Sequence, residues 1–341
     1  MSTTPARAET RARLGHVPAL DGLRGVAIAI VVAYHAFGFP LGGWLGVDLF
    51  FVLSGFLITT LLLEEHAATG AVRLRAFYVR RARRLLPALA VLLAAYVAIS
   101  GIAGLGVVAR FGFYTGNVYE AFVPGAAQHL VGLNHLWSLA QEEQFYLVWP
   151  AALLLAPKVR RPVLVLATIA AALMVYRLAL AGTGASDARI YFAPDTNVDG
   201  LLLGAALAFR PFAVPRRFVV LASAVGAVLS LLIPQSTALG VSATLPLAEL
   251  AAVVLIAAAV DGTLRLPRPL IWLGGISYSL YLWHYLVLWA FQWQQPLLAV
   301  AVSVAAAYAS TVWIERPFRR RRAPAPQMPA KEWPFRTDLQ F

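Results

Sequence analysis

Residues 20–39, LDGLRGVAIAIVVAYHAFGF, form the first long apolar segment of the chain and decide its fold class. The segment is long enough to cross a bilayer, since a membrane-spanning helix needs about 20 predominantly apolar residues. It also contains Arg24 and His35, and polar side chains of this kind are expensive within a membrane. The stretch therefore predicts a membrane helix that carries a polar stripe with a functional role.

The composition of the whole chain points to the same class of protein. Of its 341 residues, 60% are hydrophobic and 13% are charged, whereas a soluble domain has about 25% charged residues. Most helices must therefore face lipid. The absence of cysteine excludes both disulfides and a thiolate site.

Hydropathy divides the chain into ten candidate membrane spans, of which the sixth to the eighth are short or polar. The sequence thus predicts an all-α, polytopic helical bundle. The spans are 17–38, 46–64, 85–107, 135–157, 162–181, 194–209, 217–233, 244–260, 270–291 and 296–314.

The positive charge is distributed according to this topology. With the N-terminus in the cytoplasm, 24 of the 28 Lys and Arg residues fall on cytoplasmic segments. This bias orients helical membrane proteins, so both termini are predicted to be cytoplasmic. It also explains the net charge of +12 without a nucleic-acid partner.

The chain is predicted to contain three regions. Residues 1–16 are predicted to be a cytoplasmic tail, 17–320 the membrane domain, and 321–341 a basic, disordered tail near anionic lipid. The first apolar run lacks an A-x-A-like cleavage site, so it is interpreted as a retained helix rather than a signal peptide.

Arg24 and His35 lie on one face of the first predicted helix. They are eleven residues apart, so they share a stripe and are separated by about 16 Å along the axis. Arg24 can bind a phosphate or simply snorkel to the interface. His35 can act as a general base or as a hydrogen-bonded packing residue. The pair suits a long anionic donor with a cytoplasmic head and a reactive end that reaches inward.

The basic segment 71–89, AVRLRAFYVRRARRLLPAL, precedes and enters the third span. On a helix, Arg80, Arg81 and Arg84 can converge on one polyanion. The alternative is that they only set the topology. Pro87 is interpreted as the start of a new helix, where its missing N–H is harmless.

Residues 134–150, NHLWSLAQEEQFYLVWP, place polar groups along a further span. His135, Ser138, Glu142 and Tyr146 fall on one helical stripe, and Glu143 lies beside it. Glu142 or Glu143 is predicted to orient His35 or to pair with Arg24. A purely structural ion pair is the alternative.

A fourth stretch, residues 276–289, ISYSLYLWHYLVLW, brings Ser277, Tyr281 and His284 to one face. This face predicts a polar cavity for a hydroxylated acceptor, although aromatic residues at this spacing also form interface belts. Further polar positions in or at the ends of spans are Asp48, Ser54, Asp195, Asp199 and Glu249. No Walker motif, G-x-S-x-G elbow or metal-ligand spacing occurs, so neither a nucleophilic serine nor a metal is predicted.

Taken in order, these stretches resemble the acyltransferase-3 family of integral membrane acyltransferases over residues 17–318. Arg24 and His35 are similar to that family's Arg-x10-His pair, and Arg81 with Arg84 to its Arg-x-x-Arg pair. Further family motifs follow in order: GVDLFFVLSGFL, HLWSLAQEEQFYLVWP, DGLLLG, ISYSLYLWHY and ERPFRRR. In two respects the sequence departs from the family. Asn197 stands where an arginine is frequent, which puts the charge pairing of Asp199 in question. The hydrolase-like C-terminal domain of some members, which modify cell-surface polysaccharide, has no counterpart here.

The resemblance implies an acyl-CoA donor, most simply acetyl-CoA, and a carbohydrate, glycolipid or glycosylated acceptor, within a bacterial inner membrane and without a metal. The catalytic residues are then predicted to be His35, Glu142 and Glu143, and the donor-binding residues Arg24, Arg80, Arg81 and Arg84. The predicted acceptor-binding residues are Asp48, Ser54, His135, Ser138, Asp199, Tyr281 and His284. A transporter or flippase, and a purely structural or sensory protein, are the competing interpretations.

Overall fold

A computed structural model describes residues 14–155, 159–235 and 237–319, and within these ranges it contains helices and no strand. The predicted tail 321–341 and most of the predicted tail 1–16 lie outside the described residues. The all-helical class predicted from the sequence is confirmed.

The helices of the first half include three long ones that begin the bundle and several short ones between the third and the seventh. Their bounds are α1 Pro18–Phe37, α2 Gly46–Thr69, α3 Leu74–Ser100, α4 Leu105–Gly112, α5 Gly116–Phe122, α6 Ala126–His129, α7 Trp137–Leu153 and α8 Pro162–Gly182. The 3₁₀ turns are Gly43–Leu45, Gly101–Gly104 and Asn134–Leu136.

The second half continues the bundle. Its helices are α9 Asp187–Phe192, α10 Pro194–Asn197, α11 Asp199–Phe209, α12 Arg216–Leu232, α13 Ala238–Val260, α14 Arg268–Gly275, α15 Ser277–Ala290, α16 Pro296–Ala309 and α17 Arg316–Arg319. A π-helical segment, Ser310–Glu315, joins α16 to α17.

Six stretches of helix are long and apolar enough to cross a membrane, which confirms a multi-pass membrane protein. They contain α1, α2, α3 to α4, α8, α13 and α16 to α17. Other predicted spans are shorter or interrupted helices: α10 and α11 meet at Val198, and α14 and α15 meet at Ile276. The count of ten spans and their orientation therefore remain predictions.

Pro87 does not begin a helix, contrary to the sequence interpretation. It lies inside α3, which starts at Leu74 and carries the basic segment and the apolar segment as one continuous helix. No glycine occurs between Leu74 and Ser100, and the helix continues through the proline. The arginines therefore lie on the first turns of a long helix that enters the bundle.

Local sequence explains the bounds of α1. Pro18 occupies the first helical turn, where its missing N–H is not needed. Gly38 ends the helix in the left-handed region, with φ of 68°, and its N–H bonds to the Tyr34 carbonyl. This end fixes His35 in the last turn of α1.

The bundle has a central helix and a lipid-facing periphery. In the most apolar window of the segment containing α2, 67% of residues are buried, compared with 17% in α8. Gly55 lets α2 approach α11 closely, because a Cβ atom at that position would lie 2.0 Å from the Leu201 carbonyl oxygen. The tight contact of α2 with α11 leaves the other faces of α2 to meet α1 and α7.

Candidate active site

Two histidines from distant parts of the chain meet near the end of α1. The Nδ1 atom of His35 lies 3.1 Å from the Nε2 atom of His284 on α15, and the two rings stack with centroids 5.2 Å apart. His284 is fully buried, whereas His35 is half-buried. The pairing was not foreseen from the sequence, which placed His284 in an acceptor site.

The hydrogen bonds of this pair determine where its protons lie. The Nδ1 atom of His284 is 3.0 Å from the Leu280 carbonyl oxygen and 2.8 Å from that of Tyr281. A carbonyl oxygen can only accept, so Nδ1 carries the proton and, in a neutral ring, Nε2 accepts. His35 must then donate from Nδ1, which leaves its Nε2 atom with a free lone pair. His35 thus has the tautomer of a general base.

Aromatic groups surround the histidine pair. The ring of Tyr285 meets His35 edge-on at 5.1 Å and stacks on His135 at 4.9 Å. His135 belongs to the 3₁₀ turn before α7, and its Nε2 atom donates to the Leu282 carbonyl oxygen over 3.3 Å. Among these residues, Tyr285 was not singled out from the sequence, although it directly follows His284.

Ser138 and Tyr281, both predicted to bind an acceptor, join this group. Their hydroxyl groups are 2.7 Å apart, and Tyr281 also donates to the His135 backbone carbonyl. We call His35, His135, His284, Tyr281 and Tyr285 the histidine cluster. The cluster unites side chains from α1, the turn before α7, and α15.

The two carboxylates of α7 lie apart from the histidine pair. Glu142 accepts a hydrogen bond of 2.8 Å from Ser54 on α2, and it interacts electrostatically with Arg24 and Arg81. His35 is oriented by His284 instead of by Glu142 or Glu143. Glu142 also interacts electrostatically with Arg24, but the ion pair of Arg24 is with Asp21, so the predicted pairing of Glu142 with Arg24 stays a prediction.

Glu143 forms a bidentate ion pair with Arg81. The Nε atom of Arg81 lies 3.0 and 2.9 Å from the two carboxylate oxygens, and its Nη2 atom makes a further contact. The guanidinium also covers the Tyr146 ring, 3.5 Å from its centroid. Two planar contacts of this kind fix the orientation of Arg81.

The remaining predicted donor residues lie at the same end of the bundle. Arg24 is 3.9 Å from Asp21, and Arg80 forms an ion pair of 2.7 Å with Glu65. Arg84 is exposed and takes part in a further interaction. We call Arg24, Arg80, Arg81 and Arg84, together with Glu143, the arginine end.

An open cavity of about 640 Å³ lies on the first turns of α3. Arg73, Arg75 and Arg83 line it, and all three are exposed. These arginines belong to the positive charge of the predicted cytoplasmic segments, and no site was predicted for them. All three lie before Pro87, at the N-terminal end of α3.

The histidine cluster and the arginine end are linked through α7 more directly than through α1. On α1, the fully buried side chains of Ile28 and Val31 lie between Arg24 and His35. On α7, Ser138 and Glu142 are one helical turn apart. The predicted polar stripe of α7 therefore contacts both groups, whereas the stripe of α1 is interrupted by packed apolar residues.

Asp48 and Asp199, also predicted to bind an acceptor, belong to a separate buried charge cluster. Arg177 on α8 forms an ion pair of 2.8 Å with Asp199, and both side chains are fully buried. Asp48 and Glu249 interact electrostatically with this pair. The charge pairing of Asp199, questioned because Asn197 precedes it, is supplied by Arg177. Asn197 instead donates to backbone carbonyls, including that of Ile190 at 2.9 Å.

The described residues form no ready site for a metal ion. In the parts of the chain that the structure describes, no three His, Cys, Asp or Glu side chains are placed to hold a metal ion. The Nδ1 atom of His35 and both nitrogens of His284 are instead engaged with one another or with backbone carbonyls, as is the Nε2 atom of His135. The arrangement thus combines an oriented imidazole base with a group of guanidinium cations.

Comparison with known proteins agrees with this chemistry. A family model described as an acyltransferase domain matches residues 17–316. The chain is 35% identical over 361 residues to the peptidoglycan O-acetyltransferase OatA of Listeria monocytogenes, covering 91% of this chain and 57% of that protein. It is 31% identical over 354 residues to the O-acetyltransferase OatA of Staphylococcus aureus, covering 90% and 58%. The chain therefore spans less than two thirds of the length of these relatives. No solved structure matches it significantly.

Proposed function

The chain belongs to the acyltransferase-3 family of membrane enzymes, and on this premise we propose that it is an O-acetyltransferase with a carbohydrate acceptor. In this proposal the donor is acetyl-CoA, bound at the cytoplasmic face of a bacterial inner membrane. The observation that carries the proposal is the hydrogen bond between His35 and His284, because it leaves the Nε2 atom of His35 able to accept the proton of a hydroxyl group.

The reaction would be a direct transfer. The acceptor hydroxyl oxygen attacks the thioester carbonyl carbon while its proton passes to the Nε2 atom of His35. The C–S bond then breaks, and the thiolate of CoA receives the proton from His35. His284 holds the imidazole in the correct tautomer throughout. Glu142 and Glu143 act at a distance from this step, by holding Ser54 and Arg81 in place.

The donor would bind at the arginine end. Guanidinium groups recognise phosphates well because they stay charged and present several donors in a plane. Arg81 and Arg84, with Arg24 and Arg80, remain the proposed phosphate ligands, and the cavity of Arg73, Arg75 and Arg83 extends this basic surface. The separation of about 16 Å between Arg24 and His35 suits a donor whose thioester lies far from its phosphates.

The acceptor is proposed to be a sugar hydroxyl. The support comes from the relatives, one of which is named as a peptidoglycan O-acetyltransferase. The side chains proposed to meet the acceptor are His135, Ser138, Tyr281 and Tyr285 around His35. A transporter is set aside as the primary function because the family consists of enzymes that transfer acyl groups.

The test uses the purified full chain in lipid nanodiscs with radiolabelled acetyl-CoA and oligomers of N-acetylglucosamine. We expect label on the oligomer and release of free CoA. His35→Ala should reduce transfer by about 10²- to 10⁴-fold, the usual contribution of a general base. His129→Ala is the matched control because His129 is an exposed histidine on α6 and is not a member of the cluster. Transfer by His35→Ala at the wild-type rate would exclude this role.

A further inference from the structure

An open cavity of about 510 Å³ lies where α12 begins. Its walls come from the first two turns of α12 and from the loop between α13 and α14. The charged side chains in its lining are Arg216 and Arg265, and both are exposed. The acyl transfer proposed above makes no use of this cavity. A basic cavity that is open to the surroundings is suited to hold an anion.

The two walls of the cavity are tied together by Asp261. One oxygen of its carboxylate accepts a hydrogen bond from the Val214 backbone N–H over 2.6 Å, and the other accepts from the Thr263 backbone N–H over 2.8 Å. Val214 lies two residues before α12, and Thr263 lines the cavity. The cavity is therefore held open by the fold of two separate segments.

Positive charge around the cavity is not balanced by acidic side chains. On the two segments that border it, residues 210–217 and 261–268, Asp261 is the single acidic residue. Among the described residues, none of the arginines on these segments forms an ion pair. All five of them are exposed: Arg210, Arg216, Arg217, Arg265 and Arg268.

One wall of the cavity continues into a lipid-facing surface. Of the residues of α12, which the structure describes throughout, only Val219 and Ala222 are buried. Val220 lies in the cavity wall and is 62% exposed. It begins an exposed apolar stripe that follows the helical repeat through Ala224, Ala227, Val228 and Leu231. Exposed apolar surface of this extent marks a contact with lipid, so an acyl chain can lie along the stripe.

The cavity lies at the same end of the bundle as the arginine end. Leu266, which follows Arg265, packs against α1 so closely that a Cβ atom at Gly22 would lie 2.7 Å from the Leu266 Cβ atom. Gly22 is two residues before Arg24. The two basic regions therefore mark one membrane surface, and α12 leads from that surface along the hydrocarbon.

We propose that this cavity binds the headgroup of an anionic phospholipid, with Arg216 and Arg265 on the phosphate and an acyl chain along the exposed stripe of α12. Guanidinium groups suit a phosphodiester because they stay charged and present several donors in one plane. Basic pockets beside membrane helices recognise anionic headgroups in this way. Arginines that only orient the helices would need no cavity, and a soluble phosphate compound would leave the apolar stripe unused.

The experiment measures lipid binding to the purified full chain in detergent by native mass spectrometry. The probes are phosphatidylglycerol and phosphatidylcholine with identical acyl chains. Arg216→Gln combined with Arg265→Gln should weaken the binding of phosphatidylglycerol by about 10- to 30-fold, because two cations leave the headgroup. The binding of phosphatidylcholine should be unchanged. Lysine at both positions keeps the charge and should retain most of the affinity for phosphatidylglycerol.

Arg160→Gln combined with Arg161→Gln is the matched control. These two exposed arginines precede α8, which is also lipid-facing, and they line neither of the two cavities. The control should bind phosphatidylglycerol as the wild type does. An equal loss in both double variants would show that net charge alone attracts the lipid, and it would overturn the proposal.

A further arm of the experiment identifies the source of the phosphate. Glycerophosphoglycerol, the headgroup without acyl chains, should bind the wild type at least about tenfold more weakly than the lipid, since it cannot bury apolar surface. Equal affinity for the two would mean that the cavity takes a soluble anion. Unchanged binding of phosphatidylglycerol in the variant with both arginines replaced by glutamine would show that no lipid phosphate binds at Arg216 and Arg265.

Discussion

The Nδ1 atom of His35 lies 3.1 Å from the Nε2 atom of His284, although 249 residues separate them in sequence. The contact connects the last turn of α1 to the middle of α15. Because backbone carbonyls hold the proton on Nδ1 of His284, the orientation of His35 is set by a second imidazole. This differs from a base that is oriented by a carboxylate.

The first prediction concerns His284. His284→Ala should lower kcat by about 10- to 100-fold, because the His35 ring loses the acceptor that fixes its tautomer. KM for acetyl-CoA should be unchanged, since the arginine end is intact. His284→Gln should restore part of the rate, as its amide oxygen can accept from Nδ1 of His35. Steady-state kinetics of both variants would test this, with His129→Gln as the control. Wild-type kcat in His284→Ala would contradict the positioning role.

The second prediction concerns the cavity lined by Arg73, Arg75 and Arg83. Arg73→Gln combined with Arg83→Gln should raise KM for acetyl-CoA by about tenfold at low salt, because phosphate loses two charged donors. The difference should shrink at high salt, which screens exposed charges. Arg160→Gln combined with Arg161→Gln is a suitable control, as both arginines are exposed and neither lines this cavity. If KM is the same in the variants and the wild type, donor phosphates do not bind here.

The third prediction concerns the buried ion pair of Arg177 and Asp199. Arg177→Met should lower the free energy of unfolding by about 3–5 kcal/mol, because it leaves buried carboxyl groups uncompensated. Arg189→Met should have a much smaller effect, about 0–1 kcal/mol, since its partner Asp195 is 46% exposed. Denaturation in detergent, followed by tryptophan fluorescence, measures both. Equal losses in the two variants would show that burial does not set the strength of the pair.

The fourth prediction concerns the pH dependence of stability. Burial raises the pKa of Glu120 from 4.5 to about 9, so between these values the folded state holds a proton that the unfolded state releases. Stability therefore falls as pH rises through this window. Glu120→Gln removes this contribution, and its advantage in melting temperature over the wild type should be larger at pH 8 than at pH 5. An advantage independent of pH would mean that Glu120 is not buried as a neutral acid.

Much of the candidate site could be predicted from the sequence because polar residues inside apolar segments stand out. His35, Ser138, Tyr281 and His284 were all selected in this way, and the structure places them in one cluster. Tyr285 could not be found so easily, because it is one aromatic residue among several in its segment.

Which of the selected residues pair with one another could not be predicted from the sequence. His284 rather than Glu142 or Glu143 orients His35, and Arg177 rather than a neighbour of Asp199 supplies its counter-charge. In each case two or more side chains of the right chemistry were available. Only the packing of one helix on another selects among them.

The amino-acid sequence by itself showed that this is a helical membrane protein, because hydropathy and the spacing of polar residues act locally along each helix. It also identified several of the polar side chains that the bundle buries, among them Asp48, His135, Asp199 and His284. The tertiary structure alone decided which of them meet. Some helices that contact one another, such as α1 and α14, are far apart in sequence. The rotation of each helix about its axis depends on close contacts such as that of Gly55 with Leu201. Those contacts place the imidazole of His35 against His284 and leave Glu120 without a partner from the described chain.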